Sequence, residues 1–206
     1  GTKGWDKRAV SEAQSEQVIR GPREGFTENF RTNTALVRRR IKHPHLRMEH
    51  MKIGKKTATN LCLCYIKDIA HPEVLRQLRE RLSTIDTDSI LDAGYIEQYI
   101  EDAPLSLFST VNYTEKPDVL AGKILEGRVG ILVEGSPFAL TVPFLFIESF
   151  QTAEDYYVRP FYATIARLMR FLAFAISLFA MPVFIALTNY HQELIPTRLL
   201  FTIAKA

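Results

Sequence analysis

Two cysteines in 206 residues are too few to staple a small secreted scaffold, which needs several disulfides in a short chain. No Cys-x-x-Cys or His-x-x-x-His pair occurs, so the common zinc frameworks are missing. No phosphate-cradling glycine loop is present either. Gly127-Arg128-Val129-Gly130 lacks a third Gly and opens an apolar run suited to a strand, not a helix. Ser136 follows Gly135 in a hairpin turn rather than a strand-to-helix elbow, which excludes a hydrolase nucleophile of that type. A starting Met and a charged-then-apolar leader are both lacking before Gly4. With an end at Ala206 inside a renewed apolar stretch, the chain reads as an internal piece of a larger polypeptide.

Charge of one sign is also lacking over the whole chain, whose net is +3, but the distribution is uneven. Residues 1–60 hold 14 Lys/Arg against 6 Asp/Glu, residues 61–160 hold 8 against 16, and residues 161–206 hold 4 against 1. The successive balances are +8, −8 and +3, which excludes a uniformly basic nucleic-acid binder. At 47% hydrophobic and 24% charged, the chain can bury a sizeable core and is not a disordered tail.

From Phe171 to Gln192 no residue carries a formal charge unless His191 is protonated. As a helix, the 18 residues Phe171–Thr188 span roughly 27 Å, close to the hydrocarbon core of a bilayer. Apolar residues cover every face, which suits either a buried core helix or a membrane span. Arg159, Arg167 and Arg170 before it, and Tyr190 and His191 at its far edge, favour the span. Pro182 is expected to kink it and free a carbonyl. Three Arg precede the span and Arg198 and Lys205 follow it. That balance, with two thiols suited to a reducing compartment, places residues 1–160 in the cytosol. Cys62 and Cys64 share one strand face and cannot easily bridge each other. They read as buried small hydrophobes rather than a Cys-x-Cys metal half-site, since no second ligand pair lies near.

Along the chain, Gly21-Pro22-Arg23-Glu24-Gly25 marks a turn, and Thr27 is expected to cap a helix reaching Ile41. Leu46–Ile53 alternates as a strand, and Asn60–Ile66 is apolar enough for a central one. Pro72 opens a helix to Leu82. Asp86 or Asp88 is expected to cap another, carrying Ile90, Leu91, Tyr95, Ile96, Tyr99 and Ile100 at helical spacing. Leu105–Tyr113 reads as a strand and Lys116–Glu126 as a helix. Gly130–Val133 and Phe138–Val142 form a hairpin turning at Glu134-Gly135-Ser136. The fold class is therefore α/β, a mixed β-sheet flanked by helices, followed by a C-terminal transmembrane helix. The organisation is a linker (1–25), an α/β subdomain (26–150), a juxtamembrane connector (151–160), the membrane helix (161–190) and the start of a further membrane-associated segment (191–206).

The segment Gly21–Ile41 mixes groups that pair, Arg23, Glu24, Glu28, Asn29 and Asn33, with Phe26, Phe30 and Val37, which bury one face. With Arg38 and Arg40 it reads as a subunit or subdomain interface rather than a ligand pocket. The basic run Arg38-Arg39-Arg40 with Lys42, His43 and His45 complements a helix C-terminus or pairs with acidic surface elsewhere in an assembly. Phosphate or acidic lipid is a further partner, but a nucleic-acid patch lacks interleaved aromatics. His43, His45 and His50 read as surface residues and not a metal site. Glu97, Glu101 and Asp102 read as a solvated acidic edge.

Several stretches resemble one family. They are Val18-Ile19-Arg20-Gly21-Pro22-Arg23-Glu24-Gly25-Phe26-Thr27-Glu28-Asn29, Arg31–Ile41, Ile85-Asp86 with Ile90-Leu91-Asp92-Ala93-Gly94-Tyr95-Ile96-Glu97, Leu125–Val129, Val133–Pro137, Thr141-Val142-Pro143, Glu154–Tyr157 and Arg167–Phe174. In this order, from Gly4 to Ala206, the chain resembles the A subunit of the GerA-type spore germinant receptors of endospore-forming bacteria. The resemblance implies a non-enzymatic subunit without cofactor or metal, in the inner membrane of the spore. It also implies B- and C-type partner subunits, a homo-oligomer of A subunits, contact with membrane lipid, and a nutrient-gated ion channel. Against the family pattern, the first α/β subdomain and all membrane helices after the first are missing from this chain. No catalytic residue is carried over. The alternative class is a membrane-tethered enzyme or α/β domain that binds a small solute.

Overall fold

Thr59–Ile66 (β2) is an almost unbroken buried strand, and in the computed structural model it is paired on both edges. The structure describes residues 13, 15, 16, 18, 21–102, 106 and 108–190. Leu46–Ile53 (β1) pairs with one edge of β2 in full register, from Leu46 opposite Ile66 to Ile53 opposite Thr59. Val129–Val133 (β4) pairs with the other edge, then Ala139–Val142 (β5), then the short Asn112–Thr114 (β3). The order is β1-β2-β4-β5-β3.

The helix-flanked sheet and the long apolar C-terminal helix expected from the sequence are both present. Neighbouring strands are antiparallel throughout. The β4–β5 hairpin turns at Gly135, whose φ of +85° lies in the left-handed region that glycine enters without a Cβ penalty. Two connections cross the sheet. From β2 the chain runs through Pro72–Thr84 (α2) and Ala93–Ile100 (α3) to the far edge strand β3. It returns to β4 through Pro117–Leu125 (α4). Phe30–Arg40 (α1) precedes β1 and packs beside α4.

The period of two along β2 divides the core. Leu61, Leu63 and Tyr65 face one layer with Leu75, Leu78 and Leu82 of α2 and Ile96 and Ile100 of α3. Cys62, Cys64 and Ile66 face the other with Leu36 and Val37 of α1 and Leu120 and Ile124 of α4. Close packing of α4 needs Gly130, where an added Cβ would stand 2.8 Å from Leu120 Cδ1 and 3.2 Å from Ile124 Cδ1.

Three boundaries differ from expectation. Asn29, not Thr27, caps α1: its side-chain oxygen accepts from the Thr32 N–H at 3.1 Å. Asp92, not Asp86 or Asp88, caps α3. Asp88 instead ties down the β1–β2 loop, its carbonyl accepting from Lys56 N at 2.8 Å and its carboxylate from Lys56 Nζ at 2.6 Å. The strand expected over Leu105–Tyr113 shrinks to Asn112–Thr114 among the described residues, with 103–105 and 107 outside them.

The chain divides into two units, 1–157 and 158–206. In the first, described residues of the stretch expected as a linker are bonded to the domain: Ser15 N donates to Glu115 Oε2 at 2.9 Å and Thr114 Oγ1 to Glu16 Oε2 at 2.6 Å. Among its described residues, the second carries one helix, Pro160–Tyr190 (α5), of 31 residues. It is long and apolar enough to cross a membrane, with Pro182 inside it. That proline has no N–H for the Leu178 carbonyl. Residues 191–206, with Arg198, Lys205 and the expected further membrane segment, lie outside the described residues.

Candidate functional site

The segment Gly21–Ile41 is built around a buried knot. Thr27 N donates to Asn33 Oδ1 at 2.8 Å, and Asn33 Nδ2 returns a bond to the Thr27 carbonyl at 2.5 Å. Asn33 is 1% exposed, so its amide serves the interior and takes no part in a surface contact. The two-way amide bond fixes the loop entering α1. Asn29 caps that helix from the exposed side.

Glu24 receives Arg39 through both carboxylate oxygens, at 2.6 and 2.5 Å, and Arg40 at 2.9 Å. The Arg39 guanidinium, followed by that of Arg40, holds the Glu24 carboxyl below its ordinary range. Arg38 donates from Nε to Met48 Sδ at 2.9 Å and stays exposed. Arg23 is exposed, with its carbonyl accepting from Ala13 N at 3.2 Å. Glu28 is exposed too, and its carbonyl accepts from Gly135 N at 3.2 Å. Arg31, Ala35 and Arg38 form one exposed stripe at helical spacing on α1.

On the opposite helical layer, α3 exposes Tyr95 and Tyr99, and Leu91 is exposed just ahead of it. Glu97 and Glu101 are half-buried one turn apart, beside a cleft of about 450 Å³ lined also by Asp92, Tyr95 and Gln98. Burial, and then the neighbouring Glu101 charge, raise the Glu97 carboxyl above its ordinary value. Asp102 leaves this group by pairing with Arg81. A second cleft, of about 420 Å³, lies between the end of β1 and α2, lined by Met51, Lys52, Arg79 and Ser83 among others.

Cys62 and Cys64 are free and fully buried, with sulfurs 3.7 Å apart. Burial and the Cys62 hydrogen bond push the Cys64 thiol well up, the bond first, which is opposite to what a reactive thiolate needs. His43 and His45 stack edge to face at 5.3 Å, His45 pairs with Asp68, and His50 packs on Phe30 at 5.7 Å. No group of three or more metal-capable side chains forms among the described residues.

Two buried charge clusters escaped sequence reasoning. Lys123 of α4 donates to Glu148 Oε2 at 2.5 Å, and Arg128 pairs with the other oxygen. Lys116 is 0% exposed, 3.7 Å from Asp118, with its ammonium 5.3 Å from the Tyr157 ring centre. The available signal was two lysines seven apart, one before and one within a mostly apolar helix.

Comparison with known proteins adds a lineage to this geometry. The family described as "Bacillus/Clostridium GerA spore germination protein" matches residues 1–206. Spore germination protein KA of Bacillus subtilis is 49% identical over 98% of this chain and 37% of its own length. The membrane protein YfkQ of the same organism is 43% identical over 99% of this chain and 40% of its own. The chain thus spans less than half the length of these relatives. The crystal structure of the N-terminal domain of the A subunit of the Bacillus megaterium spore germinant receptor GerK3 shares 52% identity, with a TM-score of 0.48. That alignment covers 59% of this chain and 97% of the other.

Proposed function

Since this chain belongs to the Bacillus/Clostridium GerA family of spore germination proteins, we propose that it works as part of a non-enzymatic A subunit of a germinant receptor. In this reading the receptor sits in the inner membrane of the spore with B- and C-type subunits and further A subunits. It forms a nutrient-gated ion channel whose opening starts germination. Residues 1–160 face the cytosol, and α5 is a membrane helix of the channel assembly. The observation that carries the reading is the pairing of family membership with α5, a 31-residue helix whose apolar stretch has a mean hydropathy of 2.3. Pro182 suits a helix packed among others, where neighbours or water supply the freed carbonyl with partners.

The test uses spores whose full-length protein carries Phe179→Arg, a charge costing about 2.5–3.5 kcal/mol at a helix centre in the bilayer. Nutrient-triggered cation release should be lost in Phe179→Arg spores and kept in Ser177→Ala spores. Normal release from the Phe179→Arg spores would overturn the reading.

One observation favours a solute-binding role, the cleft of about 420 Å³ at the end of β1. Saturable heat on titrating nutrients into the full chain, lost in Ser83→Trp, would support it.

A further inference from the structure

Two helices carry charges that work against their own dipoles. α1 has no acidic residue in its first turn and places Arg31 there, where the helix end is already positive. α3 has no basic residue in its last turn, where Glu97 and the C-cap Glu101 stand one turn apart. Like charges at this spacing destabilise a helix by about 0.2–0.5 kcal/mol. Among the described residues, no ion pair involves Arg31, Glu97 or Glu101. Each helix carries a local cost that a complementary surface would remove.

The surroundings match in shape and charge. The exposed stripe of α1 is Arg31, Ala35 and Arg38, basic with a small residue in its middle. The exposed face of α3 offers Tyr95 and Tyr99, at 45% and 46% exposure, beside the unpaired carboxylates, with exposed Leu91 just ahead of the helix. Arginines stack on tyrosine rings as readily as they pair with carboxylates. The two helices lie on opposite faces of the sheet, because Cys62 and Cys64 face α1 while Leu61 and Leu63 face α3. One molecule therefore cannot bring the two surfaces together within itself.

We propose that the acidic, tyrosine-bearing face of α3 docks onto the basic stripe of α1 on a second copy of this chain, head to tail. The inference rests on the reading of Gly21–Ile41 as an interface and names its counter-surface. A self-complementary pairing through one helix type would set like charge on like charge, so only α1 on α3 is attractive. Surfaces on opposite faces of one molecule generate a ring where the rotation closes. Helices of 11 and 8 residues fall short of the roughly 800 Å² per partner of a standard interface. The contact is accordingly weak for one pair and gains from each copy making it twice.

The experiment uses the full chain in lipid nanodiscs or mild detergent. Two variants are prepared separately, Ala35→Cys and Gln98→Cys, both at exposed positions, while native Cys62 and Cys64 stay buried. Under a short thiol cross-linker, a covalent dimer should form in the mixture and in neither variant alone. Arg38→Glu in the first partner, or Glu101→Arg in the second, should lower its yield about five-fold. The two reversals together should restore it, and salt near 0.5 M should lower it. Absence of product from the mixture, equal product from either variant alone, or indifference to charge reversal would each overturn the docking. Absence of cross-linked product from the mixture, together with loss of cation release in the Phe179→Arg spores, would overturn the docking while leaving the receptor reading intact.

Discussion

Replacing Glu148 by Gln tests the reasoning about buried charge most sharply. In the native protein one carboxylate, 7% exposed, accepts from Lys123 at 2.5 Å and pairs with Arg128. The lysine side chain is 5% exposed and that of the arginine 18%, so the lysine in particular has little access to water. Gln keeps the volume and one acceptor but leaves two cations facing no anion. Breaking a buried pair from one side costs about 3–5 kcal/mol, since the remaining charge stays desolvated. Against a total of about 5–15 kcal/mol for an ordinary domain, this is a large share. For a chain of this length it lowers the melting temperature by roughly 6–20 °C. Lys123→Met should cost much less, because it removes a buried ammonium and leaves Glu148 its bond to Arg128. Chemical denaturation of the full chain in detergent, followed by far-ultraviolet circular dichroism, reads all three proteins. A loss below about 1 kcal/mol for Glu148→Gln, or an equal loss for Lys123→Met, would refute the argument.

Asn33→Leu, which strands the Thr27 N–H and carbonyl, should cost about 1–3 kcal/mol in the same denaturation assay, whereas Asn29→Ser should be nearly neutral as one cap replaces another. Cys62 and Cys64 should resist maleimide in the native protein and label together on unfolding; rapid native labelling followed by mass spectrometry would contradict their burial. Glu24, with its folded pKa held below 4.5 by Arg39, contributes stability that is present above pH 4.5 and fades as the pH falls through the folded value. The stability gap between native protein and Glu24→Gln should therefore be flat near neutrality, at most about 1 kcal/mol for so exposed a pair, and close in acid. Glu97 behaves oppositely: its raised pKa is a penalty that grows as the pH rises past 4.5. Glu97→Gln should stabilise the dilute chain at pH 7 and not at pH 4.

Features that depend on near neighbours were legible in the order of residues. The apolar run at Asn60–Ile66 could only be a central strand, since a strand buried on both faces has no polar side. The glycine at 135, between two β-branched runs, demanded a hairpin. The uncharged stretch from Phe171 offered no face to water, and the ordered motifs from Val18 to Phe174 carried the family resemblance. Helix starts were less legible because Thr27, Asn29, Asp86, Asp88 and Asp92 are all competent caps. Only tertiary contacts assigned Thr27 to Asn33 and Asp88 to Lys56, leaving Asn29 and Asp92 to cap. Tertiary structure alone also decided the neighbours of charges. Glu148 meets Lys123 across 25 residues, and Glu24 meets Arg39 across 15. Periodicity reports which face a residue occupies and carries no term for a partner so far along the chain. For the same reason the sequence could show a basic and an acidic region but not their geometry. The crossovers put α3 over one face of the sheet and α4, with α1 packed beside it, over the other, so the charges of α1 and α3 can meet only in another molecule.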